Sequence, residues 1–309
     1  MVAVLMSTYN GAEYLKQQID SVLCQSYSNF TLYIRDDGST DDTQKIIGSY
    51  NDSRIVFEQG DNLGPAGSFF ALLNMVKDAD YVFFSDQDDI WYPKKMEKML
   101  EKIAEYKDEP VMLFTDFTMI DSLGQVTADS FSKHACLQVT AGEIGVNKII
   151  AHPYAFGCAS AINRALTQLV LDPPEGIEMH DCWLALTAAS VGKLVYMPEQ
   201  TIAHRFHSSN ATGRSGQDSA CSRLLRITKG LKAQVENTKL RLNQTRLLIR
   251  EYEDRIKPES LKILVTVSNA MQKGKFATVN ALIKQGVSRQ KVLNTLFFYY
   301  TVFAIKGDI

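Results

Sequence analysis

The sequence predicts an α/β fold with a mainly parallel sheet, followed by a helical extension. Over the first 120 residues short apolar runs alternate with segments of helical period, closed by turn-forming residues. Repeated β-α units of this kind build parallel sheets with right-handed crossovers. Beyond residue 222 the pattern changes to one long three-and-four repeat without strand signals. At 309 residues, 45% hydrophobic and 22% charged, the chain can fold as one large domain with a smaller appendage.

Val2 to Met6 reads as a buried strand running into Ser7-Thr8-Tyr9-Asn10. Asn10 and Glu13 form a capping box for a helix in which Leu15, Ile19, Val22 and Leu23 recur at helical spacing. Phe30 to Ile34 is the second strand, ending in Arg35-Asp36-Asp37-Gly38-Ser39-Thr40-Asp41-Asp42, where Ser39 or Thr40 caps a helix through Tyr50. Arg54 to Phe57 is a third strand. Asn62-Leu63-Gly64-Pro65 opens a helix through Phe69, Leu72, Leu73 and Val76, with Pro65 suited to its first turn. Tyr81 to Phe84, apolar as a strand covered on both faces should be, leads into Ser85-Asp86-Gln87-Asp88-Asp89. A helix with Met96, Met99, Leu100 and Ile103 inward precedes a strand at Val111 to Thr115. Residues 122–147 are expected to form a mobile loop over the site. Gly157 to Ile162 reads as a strand, 181–191 as a helix burying Trp183, Leu184 and Leu186, and Leu194 to Met197 as a strand. Leu224 to Ile256 reads as one amphipathic helix, with Gly230 its weak point. The domain division that follows is 1–222 for the body, in halves 1–120 and 121–222, and 223–309 for a basic amphipathic helical tail.

Charge is distributed unevenly. Residues 1–222 carry 16 Lys/Arg against 29 Asp/Glu, and residues 223–309 carry 17 against 6. An acidic body suits cation handling, and a basic tail suits an anionic surface. The five cysteines, Cys24, Cys136, Cys158, Cys182 and Cys221, form no C-x-x-C pair. This argues for a reducing compartment and against a disulfide framework or a zinc site. Val2 to Met6 is too short for a leader, and no apolar run reaches the ~20 residues of a membrane span. The chain is therefore expected to be cytoplasmic, or peripheral on the inner face of the plasma membrane.

Ligands of open α/β sheets bind beyond the carboxyl ends of the strands. Those ends carry Thr8 and Tyr9, Asp36 and Asp37, and Asp86 and Asp88. Three carboxylates within Asp86-Gln87-Asp88-Asp89 repel one another, which marks either a solvated turn or a cation site. Mg²⁺ and Mn²⁺ favour such oxygen ligands and bridge phosphates with one or two protein carboxylates. Asp36-Asp37-Gly38-Ser39 reads as a capped turn, or as a carboxylate accepting the imide N–H of a pyrimidine.

These motifs together resemble glycosyltransferase family 2, with its GT-A fold. Ser7 to Asn10, Asp36 to Asp41, Asn62 to Gly64 and Ser85 to Asp89 stand in that family's order and spacing. His180-Asp181-Cys182-Trp183, Arg205-Phe206-His207, Asn210 and Gly213 resemble its bacterial rhamnosyltransferase branch. The resemblance spans roughly residues 1–215. It implies an inverting, metal-dependent transfer of a sugar, L-rhamnose from dTDP-rhamnose, onto a hydroxyl of a lipid-linked polysaccharide precursor. It places Thr8, Tyr9, Asn10, Asp37, Asn62, Gly64, Asp86 and Gln87 at the nucleotide, with Asp37 on the base and Asp86 on the ribose. Asp88 would ligate Mg²⁺ or Mn²⁺ with His207, and Asp181 would be the general base. Trp183, His204 and Arg205 fall in the acceptor or phosphate region. His204 stands where relatives carry Tyr, which leaves open which histidine approaches the metal. Inverting transfer needs one carboxylate to take the acceptor proton and a cation at the departing diphosphate. Asp181 opens a helix whose dipole favours its ionised form, although on the residues alone, without the resemblance, a plain helix N-cap is the favoured reading.

The rival donors are a UDP-hexose or a UDP-N-acetylhexosamine on the same fold. A nucleotidyltransferase would need a Gly-rich basic phosphate loop near the first strand, which is missing. A scaffold or lipid-binding module on a decayed transferase would not need Asp37, Asp86, Asp88 and Asp181 together. No nucleic-acid partner is expected. In the tail, Leu296-Phe297-Phe298-Tyr299-Tyr300 suggests docking on anionic lipid, against packing on the body or on a second copy as a homodimer.

Overall fold

A computed structural model describes residues 1–106, 109–135, 137, 139–152, 155–207, 220–289 and 291–307, and the side chains of 220–229 lie outside that description. Cys136, Asn210 and Gly213 are therefore outside the described residues, as are the side chains of Cys221, Leu224 and Ile227.

The first half follows the expected alternation. β1 (Val2–Thr8), β2 (Phe30–Asp36), β3 (Ile55–Gln59) and β4 (Tyr81–Ser85) are parallel, in the order β3-β2-β1-β4. They are linked by α1 (Leu15–Leu23), α2 (Thr43–Gly48) and α3 (Gly64–Met75), the last with Pro65 in its first turn. Val2, Val4 and Met6 point into one core and Ala3 and Leu5 into the other, so β1 is covered on both faces. Register aligns Thr8 with Asp36 and Met6 with Ser85, which brings the three polar strand ends to one edge.

The second half is mixed rather than parallel. It comprises β5 (Ile90–Trp91), α4 (Lys95–Ile103), β6 (Val111–Ile120), β7 (Val126–Ala128), α5 (Phe131–His134), β8 (Gly142–Glu143), α6 (Val146–Ala151), β9 (Ser160–Asn163), α7 (Arg164–Leu169), α8 (His180–Val191) and β10 (Lys193–Arg205). β9 inserts antiparallel between β4 and β6, while β6 and β10 pair in parallel. The expected strand from Gly157 begins only at Ser160, because Gly157–Ala159 make a 3-10 turn. Residues 122–147 are not a structureless loop. β7 pairs with β6 and β8 with β10. Asp116 of β6 anchors α5 by accepting from Ser130 Oγ (2.6 Å), Ser132 N (3.0 Å) and Ser132 Oγ (2.8 Å).

Two expected helix caps are absent, for one physical reason. Asn10 sits at φ 48° and accepts from Thr40 N at 2.8 Å, while Ser39 Oγ accepts from Asn10 N at 2.8 Å. These side chains tie the β1–α1 loop to the β2–α2 loop instead of capping their own helices. α1 starts at Leu15 behind Tyr14 with no side-chain cap, and α2 starts at Thr43 behind Asp42.

The tail forms α9 (Ala220–Tyr252), continuous through Gly230, then α10 (Pro258–Gln272), α11 (Lys275–Lys284) and α12 (Val292–Ala304). Leu242, Leu248, Leu264, Val267, Leu282, Phe298 and Val302 are fully buried in the same core as Trp183 and Leu184. At about 1.5–3 kcal/mol for each such side chain, this burial fastens the tail firmly to the body. Arg241 grips Glu178 through two 2.8 Å bonds, and Tyr252 Oη donates to Leu169 O at 2.9 Å. No helix among the described residues is long and apolar enough to cross a membrane.

Candidate active site

The carboxyl ends of β1, β2 and β4 build one side of the site. Thr8 is fully buried and donates to Asp36 Oδ1 at 3.0 Å. Asp36 also accepts from Ser39 Oγ (2.5 Å), Ser39 N (2.9 Å) and Gln44 Nε2 (2.8 Å). The Tyr9 ring, by contrast, is 50% exposed at the strand end. Gln87, expected among the nucleotide contacts, uses its amide on the Tyr9 main chain, accepting from N at 2.9 Å and donating to O at 3.1 Å. A Cβ at Gly11 would fall 2.2 Å from Gln87 Oε1, so a larger residue there would push the Gln87 amide off the Tyr9 main chain.

Asp37 is 2% exposed and pairs with the Arg35 guanidinium. Its carboxylate also accepts from Leu63 N and Gly64 N, each at 2.9 Å, and Asn62 Oδ1 accepts from Gly64 N at 3.1 Å. Asp37 therefore shapes the turn at Asn62 to Gly64, where Gly64 sits at φ 72°. Carboxylate oxygens offer about four lone pairs, and these contacts leave one on Oδ2.

The turn after β4 separates its aspartates into two environments. Asp88 faces the Tyr14–His207 edge, where His207 Nε2 lies 2.8 Å from Asp88 Oδ2 and the Tyr14 ring 5.0 Å from that of His207. Asp89 points inward, fully buried, and pairs with His204 Nδ1 at 2.8 Å. The histidine next to Asp88 is thus His207, with His204 buried behind it against Phe117 and Phe206. Asp86, Asp89, Cys158 and His204 bring one donor atom each within 4.8 Å of one another.

Electrostatics follow from this crowding. Burial, then repulsion from Asp89 and Asp88, pushes Asp86 up to about 8. Burial and the Asp89 charge raise Asp88 as well, against the pull of its His207 bond. Burial disfavours charge on both Asp89 and His204, yet their mutual attraction outweighs it, lowering Asp89 and raising His204 to about 9. Below them Lys95 is buried, donates to Cys158 O at 2.5 Å and lies 4.0 Å over the Trp91 ring. Burial pulls its ammonium down to about 7.

Two residues expected near acceptor or phosphate are buried and make bracing contacts. Trp183 is wholly buried 6.1 Å from the Tyr252 ring, where it holds α8 in the core. Arg205 is 2% exposed and clamps the acidic turn, donating to Asp88 O (2.9 Å), Gln17 Oε1 (2.7 Å) and Asp121 O (3.3 Å). Asp181 stands in the first turn of α8, where Met179 is the cap. It accepts from Gly157 N at 3.1 Å and Cys182 N at 2.7 Å, and its charge contributes to the raised Asp86. A cavity of about 430 Å³ lined by Tyr14, Gln17, Ser122, Leu123 and Arg205 adjoins the outer side of the site through Tyr14.

Asp88 and His207 fit a hard to borderline divalent cation. They supply one oxygen and one nitrogen donor, and burial together with the Asp89 charge disfavours ionised Asp88, a penalty that a cation would relieve. Sequence reasoning passed over Asp89, Cys158, Lys95 and His180. Asp89 had a signal in the motif itself, while Cys158 and Lys95 had none beyond residue type.

The fold is GT-A. Solved structures align with 98% of this chain at 15% identity: S. aureus TarS 1-349 in complex with UDP-GlcNAc (TM-score 0.56, 90% of that chain) and the mannosyltransferase PcManGT from Pyrobaculum calidifontis with GDP-Man and Mn2+ (TM-score 0.57, 79% of that chain). Residues 3–126 match the model of glycosyl transferase family 2. An uncharacterized glycosyltransferase of Rickettsia prowazekii is 29% identical over 69% of this chain and 66% of its own length. The Escherichia coli UDP-Glc:alpha-D-GlcNAc-diphosphoundecaprenol beta-1,3-glucosyltransferase WfaP is 30% identical over 50% of this chain and 65% of its own. The Shigella flexneri dTDP-rhamnosyl transferase RfbG is 35% identical over 31% of this chain and 36% of its own. The alignments thus span no more than 66% of these relatives' lengths.

Proposed function

We propose that the chain is an inverting glycosyltransferase that moves a sugar from a nucleoside diphosphate donor to an acceptor hydroxyl. The observation that carries this reading is the convergence of Asp86, the Asp88–His207 pair and Asp181 beyond the strand ends, beside the exposed Tyr9 ring. Tyr9 offers a flat face for the base, and the spare lone pair of Asp37 Oδ2 suits the imide N–H of uracil or thymine. Asp86 would meet the ribose. A divalent cation at Asp88 and His207 would neutralise the diphosphate as it departs. Asp181 takes the proton of the acceptor hydroxyl. Its two backbone N–H bonds fix the carboxylate's direction.

The donor sugar is the finer part of the proposal. Rhamnose from dTDP-rhamnose is favoured by the branch motifs and by the similarity to RfbG; glucose from a UDP donor is favoured by the longer similarity to WfaP. A panel of nucleotide sugars incubated with the protein and Mn²⁺ or Mg²⁺, read by mass spectrometry, tests both. Turnover of dTDP-rhamnose alone supports the first, and turnover of a UDP-hexose alone supports the second. Failure of every donor to bind by calorimetry would sink the catalytic reading.

A further inference from the structure

Helix α12 is largely apolar, and α9 and α11 cover only one side of it. Phe298, Thr301 and Val302 are buried, whereas Leu293, Leu296, Phe297, Tyr300 and Phe303 are 38–78% exposed. At 3.6 residues per turn the exposed set occupies one face, opposite the buried set. Phe276, 84% exposed at the start of α11, extends this face through a 5.0 Å ring contact with Phe303. Contiguous exposed apolar side chains of this kind mark a contact surface.

Charge identifies what it contacts. Residues 260–307 hold seven Lys/Arg and no Asp or Glu. Lys291 precedes α12 and Lys306 follows it, both exposed, and Lys275 donates to the carbonyls of Phe303 and Ile305. Cations thus stand at both ends of the aromatic face. Pairing this surface with a second copy of itself would set like charges together. An anionic lipid surface complements both its features: aromatic and leucine side chains enter the headgroup–acyl boundary while lysines meet the phosphates. We propose that the exposed face of α12, with Phe276, docks the protein on an anionic bilayer. This inference rests on α11 and α12 alone and stands apart from the catalytic reading.

The test uses the full chain and vesicles of phosphatidylglycerol mixed with phosphatidylcholine, against phosphatidylcholine alone, in a sedimentation assay at low and high salt. The parent protein should pellet with the anionic vesicles and be released by salt. Leu296→Ser/Phe303→Ser and Lys291→Glu/Lys306→Glu should each lower partitioning about tenfold or more, with melting and gel-filtration profiles kept because all four side chains are exposed. Equal pelleting with both lipids, or unchanged binding by both variants, would overturn the proposal. So would a parent dimer that ignores vesicles and dissociates in the serine variant, which would assign the face to a second copy.

Discussion

His207 Nε2 lies 2.8 Å from Asp88 Oδ2, across 119 residues of sequence. β4 delivers one partner and the residues just past β10 the other, so the pair forms only when the whole sheet is assembled. Loss of an outer-shell partner of a bound metal commonly costs about 10–100-fold in affinity or activity. On the proposed function Asp88→Ala and His207→Ala remove metal donors and should therefore lower metal affinity at least about tenfold, with Asp88→Ala the more severe because it removes the charge. Activity titrated against Mn²⁺ in each variant checks this. An unaltered Mn²⁺ requirement in both would move the cation elsewhere.

Asp37→Ala should act on the fold before it acts on the donor. The substitution leaves the buried Arg35 guanidinium without its carboxylate and removes the acceptor of Leu63 N and Gly64 N. Breaking a buried ion pair from one side costs about 3–5 kcal/mol. Denaturant melts should show a loss of that order. A variant as stable as the parent, yet weak in donor binding, would mean that the carboxylate serves the base alone.

The sequence exposed the strand ends well and the contacts among them poorly. β1 and β4 are legible because strands covered on both faces are continuous apolar runs, and the Asp86 to Asp89 turn follows from the carboxyl end of β4. Asn10 and Ser39 misled because a local capping pattern and a loop-to-loop bond use the same residue types. β9 was placed as a strand, but nothing local encodes that it runs antiparallel between two distant strands. Trp183 reads as a core residue from the helical spacing of 181–191, whereas Arg205 looks functional by type and neighbourhood and only its burial shows that it braces the turn. Cys158 and Lys95 reach the acidic cluster through tertiary packing alone.

The Asp89–His204 pair should give the fold a pH-dependent component. The folded pKa of His204, about 9 against an ordinary 6.5, means its stabilisation is complete below pH 6.5 and is lost as pH rises from 6.5 to 9. Lys95 has the opposite sign: its folded value of about 7 against 10.5 imposes a penalty that fades between those values. A bare melting profile mixes the two, so the comparison is between parent and His204→Asn in chelator. The parent's advantage should be largest below pH 6.5 and shrink by pH 9. A constant gap would show that His204 does not titrate in this window.

Asp181→Asn should separate binding from chemistry. Both carboxylate oxygens accept backbone N–H groups, so the amide must turn its NH₂ toward one donor, at a cost of about 1–3 kcal/mol. The folded variant should bind donor with parental affinity while transfer falls about a hundredfold or more, as is usual when a general base is lost. Calorimetry with the donor and single-turnover transfer read the two effects. Transfer at the parental rate would assign the base to another residue.

Gly157→Ala tests whether the position of Asp181 is set by packing behind it. A Cβ at Gly157 would fall 2.8 Å from His180 Nε2 and 3.5 Å from Asp181 Cβ. His180 cannot yield easily, because its ring is held 4.1 Å from that of Phe69 and 5.6 Å from that of Phe84. The strain therefore passes to the first turn of α8, which carries Asp181. Displacements near 1 Å in a reacting group can cost about a hundredfold in rate, so a shift of a few tenths should lower kcat by roughly tenfold and leave donor affinity unchanged. Shortening the neighbour in Gly157→Ala/His180→Ser should return part of that kcat, giving a non-additive double-mutant cycle. Strictly additive losses would show that the glycine and the histidine act on separate parts of the molecule.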